Sequence, residues 1–130
     1  MMERTILIVD DDVKFLSFLS RTLKHAGFSV LTASDGCEVP ELLSSNRVDM
    51  LLLDLQMPGM NGWEVMRKLR DPLAVAQAPR GSARPKVVVV SGRDEDEAAT
   101  FVQRLGADAY LTKPLWGKQL LATVRHVLAN

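Results

Sequence analysis

Residues 6–15 read ILIVDDDVKF, an apolar run from Ile6 to Val9 that passes directly into three consecutive aspartates, Asp10 to Asp12. Two other runs, Met50–Leu53 (MLLL) and Val87–Val90 (VVVV), are likewise apolar without alternation, as expected of strands buried on both faces. With Thr5–Val9, Ser29–Ala33 and Ala109–Thr112 they make five β-rich segments. Between them the apolar spacing turns helical. Phe15, Leu19, Leu23 and Ala26 lie along one stripe, with Gly27 as its stop. Ala98, Phe101, Val102 and Leu105 repeat the pattern before Gly106, and Leu120, Leu121, Val124, Val127 and Leu128 form a C-terminal stripe. Gly62–Arg70 is a shorter helix closed by Pro72. The segment Cys37–Ser45 contains Pro40, which is comfortable only in a first turn, so this second helix should be short or begin late.

Strands alternating with helices predict an α/β fold with a five-stranded parallel sheet covered on both faces. Right-handed crossovers favour a doubly wound, flavodoxin-like order, 2-1-3-4-5, whose ligands bind beyond the carboxyl ends of the strands near the switch between strands 1 and 3. Asp10, Asp11 and Asp12 follow strand 1, Asp54 follows strand 3, Ser91 and Gly92 follow strand 4, and Lys113 with Pro114 follows strand 5. Carboxylates about 4 Å apart repel by roughly 1 kcal/mol in water and about 4 kcal/mol at an effective dielectric near 20. A divalent cation relieves that repulsion, and hard oxygen ligands favour Mg²⁺, or Mn²⁺ in its place. An acid pair, a separate aspartate, a hydroxyl and a lysine are the parts that phosphoryl transfer uses, and a carboxylate can itself be the nucleophile.

The bulk composition bounds the rest. The chain has 130 residues, 47% hydrophobic and 25% charged, with 16 Lys and Arg against 16 Asp and Glu. This is ordinary for one soluble domain, and the balanced charge gives no sign of nucleic-acid or anionic-lipid binding. A single cysteine, Cys37, excludes an internal disulfide framework and argues against structural zinc. No apolar run approaches the roughly 20 residues that span a membrane, and aspartates interrupt the N-terminal run, so a cytoplasmic location is expected. Asp71–Lys86 (DPLAVAQAPRGSARPK) is longer than the usual connection of about 2–6 residues and reads as a surface excursion or a partner contact.

In the motifs ILIVDDD, LLLDLQMPGMNG, VVVVSGR and DAYLTKP, in this order, the chain resembles the receiver domain of two-component response regulators over essentially its whole length. The resemblance implies one receiver domain, 1–130, with no output domain, acting as a phospho-acceptor signalling module rather than an enzyme. It makes Asp54 the acceptor. Asp10 and Asp11 become the acidic metal pair, Asp11 ligating directly and Asp10 partly through water, with the Asp54 carboxylate and the Gln56 backbone carbonyl completing the metal ligands. Ser91 is implied to turn toward the phosphoryl group, Lys113 to pair with it, and Tyr110 to be the aromatic switch. The peptide bond before Pro114 is implied to be cis. The donor would be a sensor histidine kinase or a phosphotransfer protein. The reader of the switched surface, formed by the fourth helix, fifth strand and fifth helix, would be a downstream protein or a covalently linked output domain.

Gln56 and Arg93 occupy positions that, by the same resemblance, tune acyl-phosphate lifetime, and a long Gln with a cationic Arg predicts slow hydrolysis. Asp12 reads as the cap or first-turn acid of the first helix. His25, His126 and Cys37 read as surface positions, Trp63 and Trp116 as packed or half-exposed, and Met57–Gly62 as a turn that also shapes the loop at Gln56. A haloacid-dehalogenase-like phosphohydrolase would need a second acid where Gln56 stands. A flavin or nucleotide binder of this fold would place a Gly- or Ser/Thr-rich anion loop after strand 1, where this chain has aspartates. A receiver reduced to a binding module would lack the acceptor, the acid pair or the lysine, all of which are present.

Overall fold

Five strands pair side by side in the order β2-β1-β3-β4-β5 in a computed structural model that describes residues 3–55, 62–69, 84–92, 99, 100, 104, 106–115 and 117–129, with only the backbone described at 62, 63, 68, 69 and 91. The strands are β1 (Thr5–Val9), β2 (Ser29–Ala33), β3 (Met50–Asp54), β4 (Lys86–Ser91) and β5 (Ala109–Thr112). Every pairing is parallel. The predicted order 2-1-3-4-5 is therefore the observed one.

Alternation along the strands sorts the core into two layers. Ile6 and Ile8 of β1, Met50 and Leu52 of β3 and Val88 of β4 join Leu19 and Leu23 of α1 (Val13–His25). The C-terminal helix (Gly117–Ala129) completes that layer with Leu120, Val124 and Val127. Leu7, Val9, Leu51, Leu53, Val87 and Val89 point the other way. There they meet Val39 of α2 (Val39–Ser45) and Val65 and Met66 of α3 (Gly62–Leu69). Side chains of β1 and β3 are buried on both faces, which is why those runs are continuously apolar.

The local punctuation matches its chemistry. Asp12 Oδ1 accepts from the backbone N–H groups of Lys14 (3.1 Å) and Phe15 (3.2 Å), so the third aspartate is the N-cap of α1. The helix ends in a Schellman arrangement in which Phe28 N–H donates to the Leu23 carbonyl and Gly27 N–H to that of Lys24. Gly27 has φ +100°, a left-handed conformation that disfavours any side chain. Pro40 lies in the first turn of α2, directly after a 3₁₀ turn (Gly36–Glu38) capped reciprocally by Asp35 and Glu38. The second helix thus begins late, as its proline requires.

Two strand ends differ from the sequence expectation. β3 includes Asp54, and β4 runs from Lys86 to Ser91, so the acceptor candidate and the hydroxyl candidate are the last residues of their strands rather than the first beyond them. The cause is continued pairing. Asp54 stands opposite Val90, and Ser91 opposite Thr112. The helix expected over Ala98–Leu105 falls mostly outside the described residues. The Met57–Gly62 turn before its last residue and most of Asp71–Lys86 also lie outside them.

Candidate functional site

The sheet brings four side chains together at the carboxyl ends of β1, β3 and β5. Asp10 follows β1 directly, and its N–H extends the ladder to β2 by donating to the Ala33 carbonyl at 3.1 Å. Asp54 closes β3, and the next N–H, of Leu55, donates to Val90 at 3.2 Å. Both backbones are therefore fixed by the sheet up to the residue that carries the carboxylate. Asp10 and Asp54 are 2% and 5% exposed, the only buried charged side chains among the described residues. Asp11 is exposed. One oxygen from each of Asp10, Asp11 and Asp54 lies within 4.8 Å of the others. Carboxylates at that separation repel by roughly 3–4 kcal/mol per pair at an effective dielectric near 20.

Lys113 answers part of that charge. Its Nζ lies 3.3 Å from Asp10 Oδ2 and 3.7 Å from Asp54 Oδ2, and its side chain is 26% exposed. The other oxygen of Asp10, Oδ1, accepts from the Asp12 N–H at 2.9 Å, tying the acid cluster to the cap of α1. Among the described residues one ammonium, that of Lys113, thus lies against two of the three carboxylates, and the oxygen donor set fits a hard divalent cation, with exposed Asp11 giving access. The Lys113–Pro114 peptide bond is cis, as the resemblance implies.

Backbone register puts Ser91 one residue beyond Val90, the partner of Asp54, and a Cβ built on Gly92 would rest 3.6 Å from Lys113 Cδ. The end of β4 therefore borders the lysine stem. Tyr110 is half-buried on β5 and packs against the layer containing α2 and α3. His25, His126 and Cys37 are exposed. The side chains of Ser91 and Trp63, and Gln56, Arg93 and Trp116 entirely, lie outside what the structure describes.

One member of the constellation escaped the sequence pattern. The Phe15 ring lies under the Lys113 ammonium, 4.5 Å from centroid to Nζ. In the sequence Phe15 is simply the first position of an apolar helical stripe. The available signal was its place in the first turn of α1, immediately beyond the aspartates, where a half-buried side chain borders the strand ends.

This arrangement can be set beside known proteins. A family model described as the response regulator receiver domain matches residues 6–125. The chain is a member of the response regulator receiver family. It is 38% identical over 123 residues to "Response regulator MprA" of Mycobacterium sp. (strain KMS), covering 95% of this chain and 50% of that protein. It is 30% identical over 127 residues to the "Alkaline phosphatase synthesis transcriptional regulatory protein PhoP" of Bacillus subtilis (strain 168), covering 98% of this chain and 49% of that one. This receiver thus spans about half the length of the curated relatives it matches. Among solved structures, a CheY-like receiver domain protein from Methanospirillum hungatei JF-1 superposes with a TM-score of 0.82 at 29% identity, covering 98% and 95% of the two chains. The chemotaxis protein CheY4 of Vibrio cholerae gives 0.82 at 28% identity, covering 97% and 99%. Among the described residues, no helix of the receiver is long and apolar enough to cross a membrane.

Proposed function

We propose that this receiver takes a phosphoryl group on Asp54 from a phosphohistidine of a sensor histidine kinase or phosphotransfer protein, with Mg²⁺, and thereby changes a surface that a partner reads. The carrying observation is the buried Asp54 carboxylate within 4.8 Å of Asp10 and Asp11 oxygens and 3.7 Å from the Lys113 ammonium. A carboxylate oxygen of Asp54 attacks phosphorus. The bond from phosphorus to the donor nitrogen breaks, and its electron pair leaves with the imidazole. Asp10, Asp11, Asp54 and the Gln56 carbonyl would hold the cation, which would supply charge neutralisation for the incoming phosphoryl oxygens.

The chain's own groups do the rest. The β3 ladder holds Asp54 in place, so little conformational freedom is lost on reaction. Lys113 places a positive charge beside the carboxylate that gains the phosphoryl group. Burial of Asp10 and Asp54 lowers the local dielectric and strengthens these interactions. Ser91 would donate its hydroxyl to the new acceptor oxygens and Tyr110 would follow, shifting the population of the surface formed by the helix expected over Ala98–Leu105, β5 and the C-terminal helix. Gln56 and Arg93 would limit water's approach and slow hydrolysis. That last element predicts a longer acyl-phosphate half-life than that of the Gln56→Ala, Arg93→Ala variant.

The partner is a downstream protein or an output domain of the kind of chain that its half-covered relatives represent. A cytoplasmic setting accords with a kinase-supplied phosphoryl group. Intact mass after incubation with acetyl phosphate tests the acceptor chemistry. A labile gain of one phosphoryl group that requires Mg²⁺ and is lost in Asp54→Asn supports it. An equal gain in Asp54→Asn contradicts it.

A further inference from the structure

A lysine has a flexible four-carbon stem and a strongly hydrated head, so a partly exposed ammonium needs more than attraction to stay in one place. Among the described residues, Lys113 has two kinds of contact. Its charge partners are Asp10 and Asp54, and their net attraction for the ammonium would change with a cation or a phosphoryl group in the pocket. Its third contact, the face of Phe15, has an attraction for a cation that does not depend on what the carboxylates hold.

The ring is itself fixed. Phe15 N–H is bound by the Asp12 cap at 3.2 Å, and Asp12 N–H is bound in turn by Asp10 Oδ1 at 2.9 Å. The ring stacks on Phe18 with centroids 6.2 Å apart and packs against the layer containing α1 and the C-terminal helix. Asp10, Asp12, Phe15 and Lys113 therefore form a closed circuit that returns to Asp10. We propose that Phe15 is a positioning residue for Lys113, its ring face holding the ammonium between Asp10 and Asp54 through changes of charge in the pocket. The catalytic part of this role rests on the reading of Asp54 as acceptor.

Leucine at this position fills apolar space on the same helix but offers no ring face, so Phe15→Leu separates packing from the cation contact. Phosphorylation by acetyl phosphate at saturating Mg²⁺ is followed in Phe15→Leu, Phe15→Tyr, Lys113→Met and the double variant Phe15→Leu, Lys113→Met. The expected result is a slowing of about threefold to tenfold in Phe15→Leu, recovery in Phe15→Tyr, and no further slowing when Phe15→Leu is added to Lys113→Met. An equal slowing on the Lys113→Met background would show a packing role and overturn the proposal. NMR of the protein without phosphodonor gives a second readout. The Lys113 ε-CH₂ protons should be shifted upfield by the ring current, and should return to ordinary values in Phe15→Leu. Unshifted ε protons in the wild type overturn the proposal whatever the rates. A wild type that accepts no phosphoryl group yet shows the upfield shift would sink the acceptor reading alone and leave the ring contact standing.

Discussion

Lys113→Met keeps most of the aliphatic stem between Phe15 and Gly92 and removes only the charge. Its effect follows from the distances. At an effective dielectric near 20, a unit charge 3.3 Å from Asp10 and 3.7 Å from Asp54 gains roughly 5 and 4.5 kcal/mol of gross attraction. Desolvation of the three groups offsets much of this, and removing one partner of a buried pair typically costs about 3–5 kcal/mol. Lys113 is about a quarter exposed, so screening lowers the net figure to about 2 kcal/mol. For a domain of this size that corresponds to a fall in melting temperature of about 6–10 °C. The loss should also be conditional. Without the ammonium as competitor, a divalent cation meets a carboxylate cluster of greater net negative charge, so Mg²⁺ should bind more tightly to the variant and restore more stability than it adds to the wild type. Calorimetric melting with and without saturating Mg²⁺ measures both terms. A melting temperature that stays unchanged or rises without Mg²⁺, or a smaller Mg²⁺ increment in the variant, would refute the electrostatic account of the pocket.

Other substitutions probe what positions the pocket. Asp12→Ala removes the cap of α1 and should cost about 1 kcal/mol in urea unfolding, while Asp12→Asn should retain most of it. Gly27→Ala should cost about 1–2 kcal/mol from backbone strain alone, because φ is +100° and no atom lies within 4 Å of the added Cβ. Leu52→Ala, in the centre of β3 and 1% exposed, should lose about 3–4 kcal/mol in the same assay.

The sheet was legible because strands buried on both faces leave uninterrupted apolar runs, and MLLL and VVVV can hardly be anything else beside helical stretches stopped by glycine. Gly27 and Pro40 marked helix boundaries through backbone geometry, which does not depend on tertiary context. The convergence of Asp10, Asp54 and Lys113 was legible once the strand order was known, since each residue stands at a strand end. Two features were not. Whether Asp54 and Ser91 lie inside or beyond their strands depends on pairing with Val90 and Thr112, which the local sequence does not encode. The contact of Phe15 with Lys113 joins α1 to the end of β5, and an apolar stripe does not distinguish a ring that meets a cation from one that meets leucines. The opposite end of the sheet carries a similar surprise. Asp49 Oδ2 accepts from Thr5 N–H and Asp108 Oδ2 from Val87 N–H, both at 2.8 Å, bracing the entrances of β1 and β4.

The central claim is that Asp54, among three neighbouring carboxylates, is the one that accepts the phosphoryl group. Borohydride reduces an acyl phosphate to the alcohol, converting a phosphorylated aspartate to homoserine. The receiver would be treated with acetyl phosphate and Mg²⁺, reduced, digested and sequenced by mass spectrometry. Homoserine is expected at position 54, with intact aspartate at positions 10, 11 and 12. Homoserine at position 10 or 11, or at none of the four, would contradict it.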